Sequence, residues 1–228
     1  MADVDIATYQ RKKLTEKNQE PKIRLRCAKC LQPDFSCFCP MIKPIEQDIQ
    51  FVILIHPVEI ARRIATGRLA HLCLKNSHLI AGHLFNENKS VKSLLADSEN
   101  YCVLLYPGIQ SANLTLMSAE NRALIKPINK KLTIFVIDGT WATAKKMVNG
   151  SHNLKNLPRI CFTPSEPSNF RIRRQPNSSC YSTIEAIHQT IGLLGNSSCD
   201  HDHLLEVFDK MVTRQLELAH SKTWSPWF

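Results

Sequence analysis

Glycine is scarce in this 228-residue chain, at seven residues. None of the seven forms the G-x-G-x-x-G or G-x-x-x-x-G-K-[ST] pattern whose backbone cradles a pyrophosphate or a nucleoside triphosphate, which argues against Rossmann and P-loop chemistry. No stretch approaches the roughly 18 consecutive apolar residues of a membrane-spanning helix, so no membrane partner is expected. The opening residues MADVDIATYQRKKLTEKNQE lack the apolar core of a secretory signal, and a cytoplasmic location is the expectation. Internal repeats and low-complexity tracts are missing too. In a reducing compartment the odd count of nine cysteines reads as thiols or metal ligands rather than as a disulfide framework.

What is present describes a globular protein with a basic surface. Apolar residues make up 43% and charged residues 21%, and the length suits one catalytic domain with a small appendage. Lysine and arginine number 29 against 20 aspartates and glutamates, so the net charge of +9 attracts polyanions, and nucleic acid is the first partner to consider. Residues 1–22 read as a polar arm, 23–44 as a cysteine knuckle and 45–228 as an α/β catalytic domain.

The apolar runs Gln50–Ile55, Tyr101–Tyr106, Leu132–Ile137 and Arg159–Phe162 have the length and composition of buried strands. Helical patterning is found over Val58–Thr66, Ser90–Ala96, Ala142–Val148, Thr183–Leu194 and Asp202–His220. The alternation predicts a mostly parallel sheet with helices on both faces. Ligands of such sheets sit beyond the carboxyl ends of the strands. The segments there are His56-Pro57-Val58-Glu59, Tyr106-Pro107-Gly108, Asp138-Gly139-Thr140-Trp141 and Thr163-Pro164-Ser165.

Cys27, Cys30, Cys37 and Cys39 follow a C-x2-C-x6-C-x-C spacing. Two close pairs on a short loop place four thiolates around one zinc ion, and metal binding replaces the core that so small a segment cannot build. With all four positions filled by protein, the metal would be structural. Arg24, Arg26 and Lys29 beside it turn the knuckle toward phosphates or are ordinary solvated charges.

Asp138-Gly139-Thr140-Trp141 lies where a strand turns into a helix. The carboxylate suits a base or an acceptor, the threonine a helix cap, and the indole one wall of a flat-ring or sulfonium pocket. Alone, the tetrapeptide equally describes a capped turn with a core tryptophan. Other segments share its setting: HPVEIARRIATGRLAHLCLKNS from His56 to Ser77, LYPG from Leu105 to Gly108, DGTWATAKKM from Asp138 to Met147, and PSNFRIRRQPNSSCYSTIEA from Pro167 to Ala186. Together with the cysteine knuckle, these segments in this order make the chain resemble the DTW-domain family of tRNA-uridine aminocarboxypropyltransferases.

The resemblance implies a SPOUT-like fold with a C-terminal knot around an S-adenosylmethionine pocket. It further implies transfer of the donor's 3-amino-3-carboxypropyl group to N3 of a tRNA uridine, in the variable loop by the layout of bacterial relatives, with release of methylthioadenosine. Leu105, Tyr106, Pro107, Gly108, Asp138, Thr140, Trp141, Ser182, Thr183 and Glu185 would then line the donor pocket. Asp138 and Trp141 would act in catalysis, Asp138 as the base or as the ligand of the donor's ammonium group. Three basic clusters would grip tRNA: Arg62 and Arg68 beside Arg63, Lys145 beside Lys146, and Arg171, Arg173 and Arg174. The rival readings are a SPOUT-type RNA methyltransferase and a non-catalytic zinc-containing RNA-binding protein. A monomer is the expected state, with a homodimer as its alternative.

Overall fold

A computed structural model describes residues 25–173, 180–195 and 199–220. The 1–22 arm, Arg24 and Arg174 lie outside the described residues. Six strands, β1 Gln50–Ile55, β2 Ser77–Ala81, β3 Asn100–Leu105, β4 Ala112–Asn113, β5 Lys131–Asp138 and β6 Arg159–Cys161, form one sheet in the order β2-β1-β5-β3-β6-β4. Every pairing is parallel. In β1 the sequence QFVILI is buried at all six positions, as a central strand covered on both faces requires.

Eight α-helices are described: α1 Pro57–Ile60, α2 Thr66–Cys73, α3 Lys89–Ala96, α4 Ala119–Ala123, α5 Trp141–Gly150, α6 His152–Lys155, α7 Thr183–Leu194 and α8 His203–His220. Strand alternation divides the core between two layers. Phe51, Ile53, Ile134 and Val136 face α2, α7 and α8 through Leu69, Ile184, Ile187 and Phe208. Val52, Leu54 and Phe135 point the other way, onto Val91 of α3, Met147 and Val148 of α5 and Leu154 of α6. Each fully buried side chain of this size stabilises the fold by about 1.5–3 kcal/mol over leaving it in water. Among the described residues no helix is long and apolar enough to cross a membrane.

The cysteine knuckle joins the first of these layers. Cys30 and Phe38 are buried in the same cluster as Phe208 and Met211 of α8. Lys43 N donates to His203 Nε2 at 3.0 Å, and Gln32 Nε2 to the Arg63 carbonyl at 2.9 Å.

The pattern over Val58–Thr66 is not one helix. Pro57 starts α1 behind His56, whose ring accepts from Val58 N, but the helix ends at Ile60 and α2 begins only at Thr66. The Arg62 carbonyl, which a continuous helix would pair with residue 66, instead accepts from Arg68 Nη1 at 3.0 Å and from Ala65 N at 3.3 Å. Strand β2 is a further difference. It is an edge strand with no fully buried position, so it lacks the apolar run that marks its neighbours.

A candidate active site at the carboxyl ends of the strands

A cleft of about 600 Å³ opens where β3, β5 and β6 end. That volume falls within the range of about 300–1,000 Å³ usual for small-molecule sites. The walls come from Leu105, Tyr106 and Pro107 after β3, Asp138 to Trp141 after β5, Phe162 to Pro164 after β6, and Cys180 to Thr183 at the start of α7. Aromatic rings surround the opening: Tyr106 and Trp141 lie 6.4 Å apart, and Phe162 and Tyr181 lie 5.7 Å apart. The Arg159 guanidinium sits 5.7 Å over the Tyr106 ring. Trp141 keeps 43% of its surface exposed, which leaves a stacking face at the mouth.

Asp138 is the buried charge of this cleft, only 6% exposed. Its Oδ1 accepts from Thr183 Oγ1 at 2.6 Å and its Oδ2 from Gly67 N at 3.2 Å, so one carboxylate ties β5 to the first turns of α2 and α7. Burial pushes the carboxyl up to about 6, against the pull of the Thr183 hydroxyl, with nearby Glu59 adding to the rise. A group of that pKa is ionised at neutral pH yet still a competent proton acceptor.

Gly67 is required by the close approach. A Cβ there would stand 2.4 Å from Asp138 Oδ2 and 2.7 Å from its Cγ. Gly67→Ala should therefore displace the carboxylate and lower turnover by about 10²-fold, the scale of a 1 Å misplacement. A circular-dichroism melt should show the fold intact. Unchanged turnover would mean that the position of Asp138 does not matter.

Two ionic groups frame the cleft. Glu185 closes a capping box on α7 by accepting from Ser182 N at 2.8 Å, and it also takes Ser168 Oγ and Asn169 N, both at 2.7 Å. Its oxygens thus pin the 168–170 segment to the helix start. Glu59 is buried and pairs with Arg62 at 3.0 Å and with Arg173 at 3.8 Å.

The four knuckle thiols meet at one point. Cys27 Sγ lies 3.6 Å from Cys39 Sγ, Cys30 Sγ lies 3.7 Å from Cys37 Sγ, and all four fall within 4.8 Å of one another. Tetrahedral zinc with Zn–S bonds of about 2.3 Å needs sulfurs about 3.8 Å apart, so the set fits a zinc ion held by four thiolates. The Cys30 and Lys29 N–H groups aimed at Cys27 hold its thiol down at about 6, while burial and the neighbouring sulfurs push Cys37 and Cys39 up. Leu31, in the left-handed region at φ 59°, makes the tight turn after Cys30.

The DTW domain, as a family, matches residues 24–216, which takes in the knuckle, the sheet and the whole cleft. The chain belongs to the DTW-domain family. It is 29% identical to mouse "tRNA-uridine aminocarboxypropyltransferase 2" over 199 residues, covering 85% of this chain and 64% of that protein. The protein of the same name in Drosophila melanogaster is 31% identical over 180 residues, 76% of this chain and 68% of its own length. Arabidopsis thaliana "tRNA-uridine aminocarboxypropyltransferase A" is 24% identical over 213 residues, 83% of this chain and 80% of its own. The chain thus spans about two thirds of the length of the animal relatives. No solved structure matches it.

In this DTW-domain chain the candidate residues sort by place. Leu105, Tyr106, Pro107, Asp138, Thr140, Trp141, Ser182 and Thr183 all line the cleft. Gly108 and Glu185 are not among its lining residues, and Glu185 is occupied within its capping box. Arg62 and Lys145 are exposed, as is Arg171, which pairs with Asp209 at 3.3 Å. Arg173 lines the cleft itself. Arg68 is only 6% exposed, its guanidinium held by the Arg62 carbonyl, so it faces the interior rather than a phosphate. Phe162, Tyr181 and Gly67 also belong to the site, Tyr181 and Gly67 without a signal of their own in the sequence. Phe162 was reachable by its place at the end of an apolar strand run, whereas Gly67 meets Asp138 across 71 residues.

Proposed function

We propose that this chain transfers the 3-amino-3-carboxypropyl group of S-adenosylmethionine to N3 of a uridine in tRNA. The observation that carries the reading is a buried carboxylate, Asp138, at the floor of an aromatic-walled cleft in a chain of the DTW-domain family. Relatives named as tRNA-uridine aminocarboxypropyltransferases across most of its length support it.

In the reaction N3 forms a bond to the γ-carbon of the donor's methionine side chain while that carbon's bond to sulfur breaks. The electron pair stays on sulfur, giving methylthioadenosine, and the N3 proton passes to Asp138. Apolar walls from Tyr106, Trp141 and Phe162 bury the sulfonium's methyl group and keep the γ-carbon toward the RNA. The exposed face of Trp141 receives the uracil once it is splayed from its stack. Arg173, inside the cleft, pairs with the donor's carboxylate. Arg62, Lys145 and Arg171, at the surface, meet tRNA phosphates.

From the family resemblance the proposal also takes a SPOUT-like arrangement with a C-terminal knot and a variable-loop uridine, and it further includes a structural zinc in the knuckle, action as a monomer and a cytoplasmic location. Purified protein, tRNA and adenosylmethionine should yield methylthioadenosine and a mass increase on a uridine, read by liquid chromatography and mass spectrometry. Adenosylhomocysteine instead would make the chain a methyltransferase, and no donor consumption would favour a binding protein. In the same assay Arg173→Ala should raise the KM for the donor and Arg171→Ala the KM for tRNA. The reverse pattern would exchange their roles.

A further inference from the structure

Two histidines and an aspartate meet on the α7 and α8 layer, apart from the cleft and from the knuckle. His188 lies on α7, and His201 and Asp202 lie just before α8. One nitrogen from each ring and a carboxylate oxygen fall within 4.8 Å of one another. His188 Nε2 stands 2.9 Å from Asp202 Oδ1, and the two imidazole centroids are 4.8 Å apart with a 36° tilt. A hydrogen bond accounts for His188 and Asp202 but not for His201. His201 Nδ1 meets the Cys199 carbonyl at 3.1 Å. A carbonyl only accepts, so Nδ1 carries the proton, and in the neutral ring Nε2 is the nitrogen that holds the lone pair.

That is the outer-nitrogen arrangement by which proteins fix the tautomer and aim of a metal-binding imidazole. The position facing it also fits. Gly192, one turn after His188 on α7, leaves the ring room, since a Cβ there would stand 3.3 Å from His201 Nε2.

We propose that His188, His201 and Asp202 form a second metal site, for a divalent transition ion of the zinc class, which fastens the entrance of α8 to α7. Tetrahedral nitrogen and oxygen donors at about 2.0–2.1 Å from a metal stand about 3.3 Å apart, a spacing that lies between the 2.9 Å contact and the 4.8 Å limit of this cluster. Two imidazoles and one carboxylate suit zinc, cobalt or nickel better than calcium or magnesium, which prefer oxygen alone. Three protein ligands leave a position for water, unlike the closed set of thiolates in the knuckle.

The test uses the full chain without a histidine tag, carrying its cysteine-bound zinc, titrated with Zn²⁺ by calorimetry and with Co²⁺ by absorption. A second equivalent should bind, and the added Co²⁺ should show ligand-field bands without thiolate charge transfer. His201→Ala and His188→Gln should each weaken that second event by more than about tenfold, as loss of a metal contact does. Both variants should retain the first zinc and their helical circular dichroism, which establishes that they fold. The proposal is overturned by parent protein that takes up no second equivalent, or by one that binds equally in both variants. These readouts do not involve the transfer reaction, so failure of the proposed function leaves them intact.

Discussion

Asp138→Asn is expected to lose about 10²–10⁴-fold in turnover, the usual contribution of a general base, while adenosylmethionine binds nearly as well as to the parent. The amide keeps the local bonds: its oxygen can accept from Gly67 N and its nitrogen can donate to Thr183 Oγ1. Only the charge and the basicity go. Parent activity should rise as pH passes through about 6, where the carboxyl ionises, and then level off. The variant should lack that limb and regain part of its rate at high pH, where N3 ionises unaided. A fall in donor affinity with no rescue by alkali would recast Asp138 as the ligand of the donor's ammonium group.

The same substitution should alter stability in the opposite direction. Burial raises the carboxyl from 3.8 to about 6 in the folded protein, so its favourable contribution is present below pH 4 and is lost as pH climbs toward 6. Over that window the parent gives up about 3 kcal/mol, because each pH unit between the unfolded and folded values costs about 1.4 kcal/mol. The Asn variant has no such titration. It should match or exceed the parent in urea denaturation at pH 7 and lose that advantage near pH 4. Catalysis and stability would then be in tension at one residue.

The second large effect belongs to the knuckle. Cys30 has no exposed surface and shares a cluster with Phe38, Phe208 and Met211, so Cys30→Ser removes one of the four thiols that could hold a metal and places a hydroxyl in an apolar layer. Loss of a structural metal belongs to the few changes that cost more than about 4 kcal/mol. The variant should contain less than stoichiometric zinc by mass spectrometry and should melt early or fail to remain soluble. Chelation of the parent should reproduce the defect. Full zinc content with an unchanged melt would show that the metal lies elsewhere.

Much of the framework was legible in the sequence because it rests on local pattern. The run QFVILI predicts a central strand, and the strand-to-helix step at Asp138 places a carboxylate at the sheet's carboxyl end. What stayed hidden depends on partners far along the chain. Arg68 reads from the sequence as an arginine for tRNA phosphates, yet the 61–65 turn folds back and buries it. Glu59 resembles an ordinary first-turn acid, and only the return of Arg173 makes it a buried junction. The Ser182 to Glu185 spacing fits both a ligand contact and a capping box. The structure shows the box, because Ser168 and Asn169 claim the remaining capacity of the carboxylate.

The sheet order also governs how this protein must emerge from the ribosome. β1 is central, but its partner β5 follows far later, with Gln50 bonded to a residue 83 positions downstream. At about 5–20 residues per second, that leaves the nascent chain waiting about 4–17 s with the apolar run Phe51–Ile55 lacking that neighbour. Such a segment is prone to stick to other chains. Thr183, which clasps Asp138, follows it by a further 45 residues, so that pairing forms later still. Slower folding and a greater need for chaperone protection than a local helical bundle of equal length would require are built into this topology.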